Sequence, residues 1–281
     1  MSVPEREPDA PLRPKKALGQ NFLRDPNLIR KIVAAVDPRP GDLILEYGCG
    51  TGALTRPLVA SGARVVGVEV DRDLLVRLAA DPALDGLDLR DAGLEALPPR
   101  AVTGGDVRLK LVGNLPYQLS SVALFAAVED WELLERVVFM LQREVAERVM
   151  EPPGSRRYGI LPALIQARFG VEKVLDAGPK AFFPPPEVKS RVLRLTPLPS
   201  PRVDADLWPA YRDLVKTLFR ERRKQCGSLL KKYYAADDDY LVELERAGGP
   251  SPGRRPETLS IEELAELAAR LVTSPPGPRN A

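Results

Sequence analysis

The chain has 281 residues, 44% of them hydrophobic and 28% charged, the make-up of a folded protein with room for one large domain or two smaller ones. Two cysteines and no histidine exclude a disulfide framework, leave zinc or any other metal without a recognisable ligand set, and rule out an imidazole base. Net charge is only +2, and neither an apolar run of about 18 residues nor a signal-type leader is read, which argues against a bundle of membrane-spanning helices; a reducing, cytoplasmic location is expected.

From residue 42 to about 142, short apolar runs alternate with helical patterns, which predicts a parallel sheet with crossover helices. Strands are expected at 42–46, 64–70, 87–89, 109–114 and 136–142. Their Val, Ile and Leu run without strict polar alternation, as in strands covered on both faces. Helices are expected at 53–60, 71–80, 119–128 and 160–169, after which VEKVLDAG and SRVLRLTP read as two later strands closing the sheet. A proline cluster at Pro197, Pro199 and Pro201 marks a domain boundary. Beyond it the pattern is helical at 205–219, 223–234, 239–247 and 260–272. The expected organisation is a flexible start (1–14), an α/β domain with helices on both faces of its sheet (15–198), a small all-helical domain (199–273) and a frayed tail (274–281).

The first strand runs into Glu46-Tyr47-Gly48-Cys49-Gly50-Thr51-Gly52, where glycines allow a sharp turn and close approach of a ligand to the main chain. Glu69 follows at the end of the second strand, placed to bind a ribose diol with its two carboxylate oxygens. Gly48, Gly50 and Ala53 satisfy a dinucleotide fingerprint; read as G-x-G-x-G after an acidic residue, the same loop suits S-adenosylmethionine. The loop alone does not separate the two cofactors.

Asn114-Leu115-Pro116-Tyr117 stands at the end of the fourth strand, where an open α/β sheet meets its ligand crevice. The exocyclic amine of adenine or cytosine is a poor nucleophile because its lone pair is delocalised into the ring. An Asn114 amide oxygen and a backbone carbonyl, that of Leu115, can accept its two hydrogens and draw the lone pair out of conjugation. Pro116 stiffens the turn, and Tyr117 offers a flat face to an unstacked base. The proton can leave to solvent, so no imidazole is required.

With Lys16-Ala17-Leu18-Gly19-Gln20-Asn21-Phe22-Leu23 before these motifs and Phe183-Pro184-Pro185-Pro186-Glu187-Val188-Lys189-Ser190 after them, the chain resembles the ribosomal RNA adenine dimethyltransferases. The resemblance covers about 15–195 and is greatest to the type that dimethylates two adjacent adenines in the 3′-terminal hairpin loop of 16S ribosomal RNA. It implies a Rossmann-like class I methyltransferase sheet, S-adenosylmethionine as cofactor, and a monomer whose partner is 16S RNA in the small ribosomal subunit or its precursor. Asn21, Leu23, Gly48, Gly50, Glu69, Asp91 and Asn114 would then bind the cofactor. Asn114, Leu115, Pro116, Tyr117 and Phe183 would serve the target base, Phe183 sandwiching it with Tyr117. The sequence departs from the family at Cys49, where proline is frequent, at Gln118, where asparagine is, and at Cys226-Gly227.

Lys15, Lys16, Arg24, Arg156, Arg157, Arg220, Arg222, Arg223 and Lys224 are the candidate phosphate contacts, expected to share one face with the crevice. Residues 212–232 hold eight basic and two acidic side chains, 235–270 four and nine, so the C-terminal third is bipolar. Rival readings are a 23S RNA methyltransferase of the antibiotic-resistance type, a non-catalytic ribosome assembly factor, and, more remotely, a dinucleotide oxidoreductase.

Overall fold

The computed structural model describes residues 13–104 and 107–276; the outer parts of the two ends expected to fray, 1–12 and 277–281, lie outside the described residues. After a 3-10 turn at Lys16–Leu18 the chain forms β1 (Phe22–Leu23) and α1 (Pro26–Val36). Helix α1 starts here because the Asp25 carboxylate accepts from the amides of Asn27 (2.8 Å) and Leu28 (3.3 Å) while Pro26 fills the first turn. The alternating region then gives β2 (Leu43–Tyr47), α2 (Thr55–Ala60), β3 (Arg64–Glu69), α3 (Arg72–Ala79), β4 (Asp88–Asp91), α4 (Pro99–Thr103), β5 (Leu109–Asn114), α5 (Ser120–Glu129), β6 (Leu134–Gln142) and α6 (Arg143–Val149). Next come α7 (Ile160–Gln166), β7 (Phe169–Ala177), β8 (Phe182–Phe183) and β9 (Ser190–Pro197), then α8 (Trp208–Phe219), α9 (Cys226–Tyr234), α10 (Asp238–Arg246) and α11 (Ile261–Thr273).

Seven strands form one mixed sheet in the order β4-β3-β2-β5-β6-β9-β7. The first five are parallel, and β9 lies antiparallel to β6. Both faces are covered. Ile44, Val65, Val112, Val138 and Val192 pack against Ile32, Ala35 and Val36 of α1 and Leu58 of α2, while the alternate residues Leu45, Tyr47, Leu111 and Phe139 are just as deeply buried. At its foot the sheet holds a buried cation: Lys110 Nζ donates to Asp42 (2.7 Å) and to the Asp37 carbonyl (2.6 Å). A separate two-stranded ribbon pairs β1 antiparallel to β8, Phe22 opposite Phe183 and Leu23 opposite Phe182.

The chain divides into two compact units, and the division corrects the linear one. The first holds the described residues through Ala146 together with Gly170–Pro197; the second holds Glu147–Phe169 and the described residues from Leu198 on. Glu147–Phe169, expected with the sheet, belongs to the helical unit through contacts distant in sequence. Tyr211 donates to the Ala163 carbonyl at 2.9 Å, Tyr158 meets Phe219 edge-on at 5.8 Å, and the amides of Gly154 and Arg202 bond the carbonyls of Glu257 (2.7 Å) and Ala167 (2.9 Å). The expected helix at 160–169 accordingly stops at Gln166, and Phe169 already begins β7.

At the sheet edge, Arg191 of β9 grips both carboxylate oxygens of Asp176 on β7 at 2.6 and 3.2 Å, with Lys173 at 2.7 Å. The Arg191 guanidinium, seconded by Lys173, holds the Asp176 carboxyl at about 2, below its ordinary 3.8. A carboxylate lowered in the folded state stabilises above its unfolded value and loses that contribution as pH falls through the folded value. Asp176→Asn is therefore expected to lower Tm at neutral pH, with the gap closing as pH drops from 3.8 toward about 2; thermal melts across that range check it.

Candidate active site

The carboxyl ends of β2, β3 and β5 open onto a cleft spanning about 1080 Å³, part of it open to solvent. It lies where an open α/β sheet places its ligands, beside the strand from which the connections run in opposite directions. Gly48, Gly50 and Gly52 all have left-handed φ (75°, 57° and 78°), which lets the loop after β2 fold over the strand end. The Gly50 amide donates to Glu69 Oε2 at 2.9 Å, and a Cβ on Gly50 would stand 3.4 Å from the Phe22 ring. Glu69 Oε1 accepts from the amides of Val70 (2.9 Å) and Asp71 (3.0 Å). The carboxylate is thus fixed by three backbone donors and keeps acceptor capacity toward the cleft it lines.

Beneath the loop, Cys49 is buried so closely on β3 that a Cβ on Gly67 would come 2.5 Å from its sulfur. Burial, with the carboxylates of Glu46 and Glu69 nearby, pushes its thiol well up, so Cys49 is a packing residue and no nucleophile. Glu46 also lines the cleft. It is 1% exposed, and its Oε2 has no hydrogen-bond partner among the described residues. Burial first, then the charge of Glu69, raises its carboxyl from 4.5 to about 8.

The N-terminal segment forms one wall of the cleft. Gly19, at φ 63°, turns the chain back after the first 3-10 turn. Lys15 and Gln20 both bond the buried Asp71 carboxylate, Gln20 Nε2 at 2.7 Å, and Lys15 also pairs with Asp73 at 2.9 Å. So anchored, the Asn21 carbonyl accepts from Asn114 Nδ2 at 3.2 Å. The amide NH2 of Asn114 is thus held at the cleft wall, and its Oδ1 has no hydrogen-bond partner among the described residues. Tyr117 Oη and Ser190 Oγ share a hydrogen bond of 3.0 Å, which fixes the tyrosine ring beside Leu115 and Pro116 in the cleft wall.

The structure thus brings together Asn21, Leu23, Gly48, Gly50, Glu69, Asn114, Leu115, Pro116 and Tyr117. Two expected residues stand outside. Asp91 is exposed at the end of β4, and its neighbours Ala92 and Gly93 line the cleft instead. Phe183 is 37% exposed and not part of the lining; Phe182, one place earlier and 6% exposed, is. Sequence reading missed Phe182, Phe22, Ser190 and the Asp71 anchor. An Asp capping α3 two residues after Glu69 was the available signal for Asp71; nothing local pointed to its partners.

The basic candidates also separate. Lys15 is held by two carboxylates that raise it, Arg157 by Glu147 (3.1 Å) and Lys224 by Glu221 (2.6 Å). Arg222 lies 3.9 Å from Glu257 and donates to the Arg156 carbonyl at 3.3 Å, which joins two of the predicted clusters within the second unit. Lys16, Arg24, Arg156, Arg220 and Arg223 have no carboxylate partner among the described residues.

Residues 12–243 match the family described as ribosomal RNA adenine dimethylase. The chain is 42% identical over 260 residues to Ribosomal RNA small subunit methyltransferase A of Laribacter hongkongensis, covering 92% of this chain and 95% of that one. Among solved structures, a dimethyladenosine transferase from Plasmodium falciparum is similar in fold (TM-score 0.72, 22% identity, 90% of this chain and 98% of that one). So is the 23S rRNA methyltransferase ErmE (TM-score 0.64, 26% identity, 90% of this chain and 100% of that one).

The buried Glu46 has a consequence for stability. An acid raised in the folded state favours the protonated fold, so stability is lost as pH climbs from the unfolded value of 4.5 through about 8. Glu46→Gln, which keeps the shape and drops the charge, is expected to raise Tm near pH 9 and to change it little near pH 4; identical wild-type and mutant melts at the higher pH would refute the buried proton.

Proposed function

The chain belongs to the ribosomal RNA adenine dimethylase family, and from that premise we propose that it dimethylates the exocyclic amines of two adjacent adenines in the 3′-terminal hairpin loop of 16S ribosomal RNA. The methyl donor in this reading is S-adenosylmethionine. The substrate is the small ribosomal subunit or its precursor, and the enzyme acts as a cytoplasmic monomer. The observation that carries the reading is the Asn21–Asn114 hydrogen bond, which turns Asn114 into an oriented acceptor at the mouth of a cofactor-type cleft.

The donor set fits S-adenosylmethionine. Glu69 offers acceptors to a ribose diol, the loop glycines expose backbone to the ligand, and the orphaned Glu46 oxygen is a buried acceptor suited to a cationic group. When bound, the cofactor supplies an electrophilic methyl on a sulfonium. The protein's own part is to make an amine nucleophilic. Asn114 Oδ1 and the Leu115 carbonyl accept the two amine hydrogens and favour the pyramidal nitrogen, while Tyr117 and Phe182 hold the flipped base by its faces, Phe182 taking the place first expected of Phe183. The proton departs to solvent.

The same two acceptors account for the number of methyls. A primary amine offers two hydrogens, the monomethyl amine one and the dimethyl product none, so the product loses its anchoring bonds. Lys16 and Arg24 in the first unit and Arg156, Arg220 and Arg223 in the second are the cations left to meet RNA phosphates. The likeness to a small-subunit methyltransferase at 42% identity favours 16S over 23S RNA as the substrate.

Transfer of labelled methyl to small ribosomal particles lacking the modification, with 23S RNA in parallel, tests the reading. Dimethyladenosine is expected from the small particle alone, with kcat about 10²- to 10³-fold lower for Asn114→Ala, as when one oriented polar group at a reacting centre is removed. Label in 23S RNA alone would move the enzyme to the resistance type, and no label anywhere would leave an assembly factor.

A further inference from the structure

Cross-strand register in the β1–β8 ribbon sorts its side chains into two faces. Leu23 and Phe182 lie opposite each other and are buried in the sheet core. The ribbon continues past β1, since the Arg24 amide bonds the Ala181 carbonyl at 2.8 Å. Phe22, Arg24 and Phe183 therefore share the other face. Phe22 is buried and lines the cleft; Phe183, directly opposite it, is 37% exposed, and the Arg24 guanidinium lies over its ring at 4.0 Å. Arg24 itself is exposed and has no carboxylate partner among the described residues, because the adjacent Asp25 is committed to capping α1. Lys180 and Lys189, at the two ends of the same segment, are exposed and equally unpaired, against one carboxylate between them, Glu187.

We propose that the Arg24–Phe183 stack is a second base seat, which takes the unpaired RNA base adjoining the target nucleotide while the target occupies the cleft. This rests on the RNA-methylating function proposed above and extends it. A single exposed phenylalanine would mean little. Joined to an unpaired guanidinium, one cross-strand step from a cleft-lining ring, it offers the two surfaces on which single-stranded bases stack, with cationic donors for the phosphate between the two nucleotides. Phe182 and Phe183 then divide the labour. Phe182, packed in the core, borders the cleft from the ribbon's inner face, and Phe183 on the outer face holds the neighbouring base, so that the backbone opens between them.

The test uses small ribosomal particles carrying a synthetic RNA 3′ segment with 2-aminopurine on one or the other side of the target adenine, since that fluorophore is quenched when it stacks. With the full-length wild-type protein, fluorescence from one of the two positions is expected to fall several-fold on binding. Phe183→Leu should abolish that quench and weaken binding about tenfold, Arg24→Gln should weaken both, and Phe183→Tyr should restore them. Equal quenching and affinity in wild type and Phe183→Leu, or no quench at either position in the wild type, would overturn the seat. Methyl transfer measured on the same particles judges the proposed function separately, because the quench reads stacking whether or not a methyl moves.

Discussion

A buried carboxylate, Asp71, is the constraint on which the cleft depends. It is 3% exposed, sits two residues after Glu69, whose carboxylate its own amide helps to hold, and caps α3 through the Asp73 amide at 3.0 Å. Left unpaired, such a charge would be costly to bury. Lys15 and Gln20 supply the missing partners, and in doing so they bring the N-terminal segment across the sheet to the carboxyl end of β5. The position of Asn21, and through it the orientation of Asn114, follows from satisfying a charge on a different strand. An electrostatic requirement at the second βα turn is thereby converted into geometry at the fourth.

A second tie of the same kind runs from the far side. Ser190, at the start of β9, holds the Tyr117 hydroxyl, and β9 is itself clamped to β7 by the Arg191–Asp176 pair. The Asn114–Tyr117 segment is thus gripped from two directions, by the chain that precedes the sheet and by the strand that closes it. Neither tie comes from the segment's immediate neighbours in sequence. That arrangement is what the proposed acceptor site requires, since a target amine must meet groups whose directions are fixed before it arrives.

Much of the sheet was legible because the signals were local. β5 occupies 109–114 as expected, and the loop glycines and Glu69 stand where strand ends should put them. Helix α1 lies outside the alternating pattern, which begins at residue 42, although Asp25-Pro26 and the buried Ile32, Ala35 and Val36 mark it. The exchange of Phe182 for Phe183 has a different origin. In a two-residue ribbon beside a triple proline, which of two adjacent aromatics faces inward is decided by pairing with β1, a partner some 160 residues earlier. The grouping of Glu147–Phe169 with the helical unit, and the loss of Lys15 and Lys224 as free cations, likewise depend on contacts that no window of sequence contains.

The contact between Cys49 and Gly67 reaches beyond packing. A loop position and a strand position share a volume that admits one side chain, so the space is a joint property of the pair. An alanine at 67 is acceptable only where residue 49 has already retreated from β3, and a larger residue at 49 only where 67 remains glycine. The route by which this loop can change is therefore ordered: some pairs of substitutions are open in one sequence of steps and closed in the other.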